Sequence, residues 1–180
     1  ELCFPEYTAQ ERQALILRHF ESNGLIVFEM GMAWFMPYWR LRKRFVVKGR
    51  EHWEALQHKN QGALVVGLHM STLEIASAGI NRLFIMSVSY RPHSNAVYDY
   101  IQYRGRSRHN SKAKCIARHD MRDMVRTLKK GGLLWYAPDQ DYGAKVSQFA
   151  PYFGIETATL AMTPKLLKMA KVPALTLMYY

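Results

Sequence analysis

The chain has 180 residues, 49% of them hydrophobic and 13% aromatic, enough for one sizeable core and unlike either a disordered segment or a small disulfide-stapled unit. Its 25 Lys and Arg face 14 Asp and Glu, a net charge of +11, so an anionic partner is expected: nucleic acid, an anionic membrane surface, a phosphorylated lipid or an acidic carrier protein. Cys3 and Cys115 stand far apart without a CxxC pattern, which supports neither a disulfide framework nor a zinc site and fits a reducing compartment.

Thr8-Ala-Gln-Glu11 matches a capping box, predicting a helix from about Ala9 to Asn23 that Gly24 breaks or kinks. The apolar run from Gly24 to Trp39 is interrupted by Glu29 and Pro37, so it reads as a core or interfacial helix and not as a membrane span. Past the basic stretch Arg40 to Arg50, Gly62 to Leu68 is continuously apolar and predicts a buried strand with His69 at its end. A helix over Thr72 to Leu83 and a second strand over Phe84 to Tyr90 follow. Asn95 can cap a short helix reaching about Tyr103, and Asp120 a firmer one ending at Lys129-Lys130-Gly131. Leu133 to Ala137 is a third strand, Thr163-Pro164 opens a further helix, and Pro173 to Tyr180 begins a last strand. This alternation predicts an α/β fold in one domain over residues 1–180: a central, mostly parallel sheet flanked by helices, with its ligand crevice at the carboxyl ends of the strands. His69 and Asp139 both fall there. The chain lacks an initiator Met and stops inside an apolar run, so further segments are expected at both ends, where any membrane anchor could lie.

His69-Met-Ser-Thr-Leu-Glu74 sets a carboxylate five residues after a histidine. On one continuous helix the two would lie about 140° apart and never meet. With His69 in a strand-to-helix turn and Glu74 in the first helical turns, the carboxylate can reach the imidazole, fix its tautomer and leave the other ring nitrogen free to accept a proton. The pair alone is weak, because a chain with 7 His and 14 acids meets such spacing readily by chance. Arg104, Arg106 and Arg108 alternate in a basic segment that suits an anion-facing loop or edge; a solvated face is the plain alternative, and nearby tyrosines would suit nucleic acid, for which no binding motif is present. Pro138 to Gly143 reads as a turn, and its acids miss calcium-loop spacing.

Taken together, Cys3-Phe-Pro-Glu6, Phe28 to Trp34, Gly67 to Glu74, Tyr90-Arg-Pro92, Gly105-Arg106 and Trp135 to Gly143 resemble, in order and spacing, the late acyltransferases of bacterial lipid A biosynthesis. The His-x4-acid pair is shared more widely with glycerolipid acyltransferases. The resemblance implies a glycerolipid-acyltransferase-like α/β/α domain that lacks the membrane-anchoring N-terminal segment and the end of the catalytic domain. It implies transfer of a fatty acyl group from acyl carrier protein to a hydroxyl of an acyl chain on a Kdo-bearing, phosphorylated glucosamine disaccharide, at the cytoplasmic face of the bacterial inner membrane. Carried over by position, His69 matches the general base and Glu74 its orienting partner. Arg106 and Asp139 match further active-site residues, Arg106 to hold phosphate or steady an oxyanion, Asp139 to fix Arg106 or shape the pocket. Arg91, Arg104, Arg108 and Asp141 are expected to bind substrate. No cofactor or metal is expected; the partners are the carrier protein, the phosphorylated glycolipid and the inner-membrane surface, not nucleic acid. The alternatives are an acyltransferase for another glycolipid or a lysophospholipid, and a non-catalytic basic binding module.

Overall fold

The computed structural model describes residues 2–110 and 112–179, the side chain of Arg82 excepted. Five short strands form a parallel sheet: β1 (Ala63–Val66), β2 (Met86–Tyr90), β3 (Cys115–Ala117), β4 (Leu133–Tyr136) and β7 (Ala174–Thr176), in the order β3-β2-β4-β1-β7. Helices connect them, as parallel pairing requires: α4 (Leu73–Leu83), α5 (Ala96–Ser107), α6 (Met121–Lys129) and α7 (Met162–Ala170).

Strand side chains alternate between faces, and each face has its own apolar layer. Leu64, Leu134 and Tyr136 meet Met124 and Leu128 of α6 and Leu166 of α7. Ala63, Val65, Leu133 and Trp135 meet Trp53, from the helix α3 (Arg50–His58), with Leu73 and Ile80 of α4 packed alongside. Both faces being covered explains why β1 and β4 are continuous apolar runs. A further cluster joins α1 (Ala9–Phe35) and the single turn α2 (Tyr38–Leu41) to α4 through Ala33, Trp34, Leu41 and Ala78.

The α/β architecture, the buried first strand and the Asp120-capped helix agree with the sequence reading. Other details differ. The capping box is formed, but α1 runs through Gly24 without a break. A helical glycine costs only about 1 kcal/mol, and the far end of α1 is tied down: Arg108 Nη1 donates to the Trp34 carbonyl at 2.5 Å, and His109 Nε2 lies 2.8 Å from that of Ala33. Those are carbonyls a helix end leaves without intrahelical partners. Helix α7 begins one residue before Thr163, with Ala161 as cap; Pro164 is tolerated because first-turn amides have no intrahelical acceptor. The final strand closes at Thr176, and Tyr180 lies outside the described residues. Strand β3 and an antiparallel hairpin, β5 (Ser147–Tyr152) with β6 (Ile155–Leu160), were not expected. The hairpin turns at Phe153-Gly154, both at positive φ, the geometry a two-residue hairpin needs.

Candidate active site

Strands β1 and β4 are neighbours in register, Val66 opposite Tyr136, and the Gly67 amide extends the ladder to the Tyr136 carbonyl at 3.1 Å. His69 and Asp139 each follow those paired residues by the same short step, so two positions far apart in sequence emerge side by side at the carboxyl edge. Asp139 Oδ1 lies 2.7 Å from His69 Nδ1, and Oδ2 accepts from the His69 backbone amide, also at 2.7 Å. Burial pushes the Asp139 pKa up, but the hydrogen bonds and charge of His69 outweigh it and hold the carboxyl below its ordinary range. Ionised, the carboxylate only accepts, so Nδ1 carries the proton and Nε2 is the basic nitrogen. The Trp135 indole stands edge-on to the imidazole at 5.7 Å. Gly67 permits that approach: a Cβ there would sit 2.3 Å from Trp135 Nε1.

Glu74, in the first turn of α4, does not hold His69; no hydrogen bond joins the two among the described residues. Its carboxylate accepts from Arg106 Nε at 3.0 and 3.2 Å and from Nη2 through Oε1, while Trp34 Nε1 donates to Oε2 at 2.9 Å. Burial pushes the Arg106 pKa down, yet its bonds to Glu74 outweigh that and leave the guanidinium more firmly charged. The expected partners are therefore exchanged: Asp139 orients the histidine and Glu74 orients the arginine. The physical reason is direction. Strand β1 delivers His69 toward its in-register neighbour β4, whereas Glu74 already lies in α4, which packs against α1 and α5. Trp34 fits there because position 105 is glycine; a Cβ on it would meet Trp34 Cγ at 2.4 Å.

His69, Glu74 and Arg106 line one cavity of about 700 Å³, whose walls include Leu73, Ala78, Met86 and Val88. Its apolar part suits a hydrocarbon chain and its charged end a polar reacting group.

These observations can be set beside known proteins. The model of the family described as bacterial lipid A biosynthesis acyltransferase matches residues 1–180. A lipid A biosynthesis palmitoleoyltransferase of Escherichia coli (strain K12) is 44% identical over 156 residues, 87% of this chain and 50% of the relative. A lauroyltransferase of the same pathway and strain is 41% identical over 158 residues, 88% of this chain and 51% of the relative. The chain belongs to the bacterial lipid A biosynthesis acyltransferase family. A myristoyltransferase of that strain is more distant, 26% identical over 176 residues, 94% of this chain and 53% of the relative. The chain spans about half the length of the curated relatives it matches.

Within this member of the lipid A acyltransferase family, the remaining expected residues divide. Arg91, just past β2, lines the cavity. Arg104, Arg106 and Arg108 belong to α5 and its cap, not to a loop or edge. Helical spacing turns Arg106 away from the other two, so Arg104 is exposed and Arg108 caps α1. Asp141 accepts from the Gly143 amide at 2.6 Å and shapes its own turn, while its neighbours Gln140 and Tyr142 line the cavity. Trp34 and Tyr179 were not foreseen. Burial, with the Asp139 charge, pushes the Tyr179 pKa up, and its hydroxyl donates to the Leu68 carbonyl beneath the His69 turn. Each joins segments too distant in sequence for spacing to reveal.

Proposed function

We propose that this chain carries the catalytic core of an acyltransferase that moves a fatty acyl group from acyl carrier protein to a hydroxyl on a Kdo-containing, phosphorylated lipid A precursor. His69 Nε2 takes the hydroxyl proton as the oxygen attacks the thioester carbonyl, and Asp139 stabilises the imidazolium that forms. The tetrahedral intermediate then collapses, the ester forms, and the carrier thiolate leaves with the proton returned by His69. Arg106, held by Glu74, has Nη1 without a hydrogen-bond partner among the described residues; it is available to the oxyanion or to a phosphate.

The observation that carries this reading is His69, held by Asp139, lining a cavity with apolar walls. We place the enzyme at the cytoplasmic face of the inner membrane. No helix of the described residues is long and apolar enough to cross a bilayer. The proposed contact is interfacial: Leu17, Phe20 and Phe28 of α1 and Trp39 of α2 are exposed, and the cationic stretch from Arg40 to Arg50 follows them in the chain, a combination that suits an anionic leaflet. The test is mass spectrometry of lipid A from a strain lacking the gene, complemented with wild type or His69→Ala. One acyl chain is restored by the wild type alone; restoration by both overturns the proposal.

A further inference from the structure

Helices α6 and α7 lie side by side on the face of the sheet opposite α4, and a second hollow of about 500 Å³ opens between them. Its floor is apolar, formed by Met121, Val125 and Met169, and Met169 is 53% exposed. Its rim is cationic. Arg122, Arg126, Lys129 and Lys130 line it, α7 adds the exposed Lys165 and Lys168 outside it, and residues 121–130 and 162–170 hold the single acid Asp123. That acid is engaged by Lys114 and Arg126, each at 3.5 Å.

Nothing in the proposed chemistry uses this hollow, yet it adjoins the site. Arg118 and His119, immediately before α6, line the catalytic cavity, and so does Met162, the first residue of α7. Both helices thus start at the reacting end of the sheet, and α6 extends only about 13 Å from it. A concave trough with adaptable methionines below and cations on its rim matches an amphipathic helix whose flanks are acidic. A flat bilayer would not fill it.

We propose that the α6–α7 trough is the docking site for an acidic helix of the acyl-carrying donor protein, seated so that a thioester on a flexible arm reaches His69. This rests on the donor being a carrier protein, as read above. Rim charges govern encounter rate and salt sensitivity, and the apolar floor governs residence.

The test uses the full chain with Arg122→Glu and Lys129→Glu together, and separately Met169→Ser, assayed with acyl carrier protein thioester and with acyl-pantetheine as donors. KM for the carrier-borne donor is expected to rise about tenfold in the charge variant, with carrier-free turnover within about twofold of wild type. Retained carrier-free turnover also reports an intact fold; should the double variant not fold, Met169→Ser alone decides, by a raised or an unchanged KM for the carrier-borne donor. An unchanged KM in every folded variant overturns the docking site. So does a loss confined to binding phosphatidylglycerol vesicles, which would make the trough a membrane contact. If the wild type itself uses both donors with equal KM, the donor reading fails instead, independently of the trough.

Discussion

Asp139 holds His69 at two points, the ring through Nδ1 and the backbone amide, both at 2.7 Å. A single carboxylate therefore fixes where the residue sits, how its ring is turned and which nitrogen is protonated. Side-chain exposure of 38% for His69 and 22% for Asp139 leaves the ring reachable while its partner is largely covered.

His69→Ala and Asp139→Asn are each expected to lower transfer by about 10²–10⁴-fold, the usual worth of general-base catalysis. The double variant should be little worse than either single one, because the two act as a unit. Single-turnover rates with the folded variants check this, and multiplicative losses would separate the pair.

Glu74→Ala should behave differently from His69→Ala. It strands the Arg106 guanidinium, whose side chain is 20% exposed against 13% for Glu74, and removing one partner of a buried pair costs about 3–5 kcal/mol. A clear fall in the urea midpoint is expected for Glu74→Ala and little change for His69→Ala. Equal midpoints would place the Glu74 contribution elsewhere.

The pH dependence follows from Asp139. Its folded pKa lies below the ordinary 3.8, so near that pH the unfolded chain binds more protons than the folded one, and stability rises with pH. The contribution is fully present above the ordinary value and fades as pH falls through the folded one. Below about pH 4, unfolding of the wild type should depend more steeply on acid than that of Asp139→Asn; parallel curves would contradict the shift.

Gly105→Ala drives a methyl into Trp34, with Cγ at 2.4 Å from the new Cβ, and overpacking of this kind costs about 1–3 kcal/mol. Trp34→Phe keeps an aromatic ring but loses the indole donor to Glu74. Both should lower the thermal midpoint, and a double variant pairing Gly105→Ala with Trp34→Phe should recover little, since the phenyl ring fills the same space.

Burial pushes the Cys115 thiol up to about 11, so at pH 8 it is almost wholly protonated and a poor nucleophile. Peptide mass spectrometry after brief iodoacetamide treatment should find the exposed Cys3 alkylated and Cys115 spared; the reverse order would show that the region around Cys115 opens.

The linear pattern of residues sufficed for the alternation of strands and helices, the burial of Ala63 to Val65, the capping of α6 and the position of His69 and Asp139 at strand ends, because these depend on periodicity and on caps a few residues away. The family likeness was likewise legible, since it lies in short blocks in fixed order. Which acid holds the histidine was not. That depended on β4 pairing beside β1 in register, which brings position 139 to position 69 while α4 turns Glu74 toward Arg106 and Trp34. Side-chain partners across long loops are set by packing and strand order, quantities that local spacing does not carry, so the tertiary fold alone decided them.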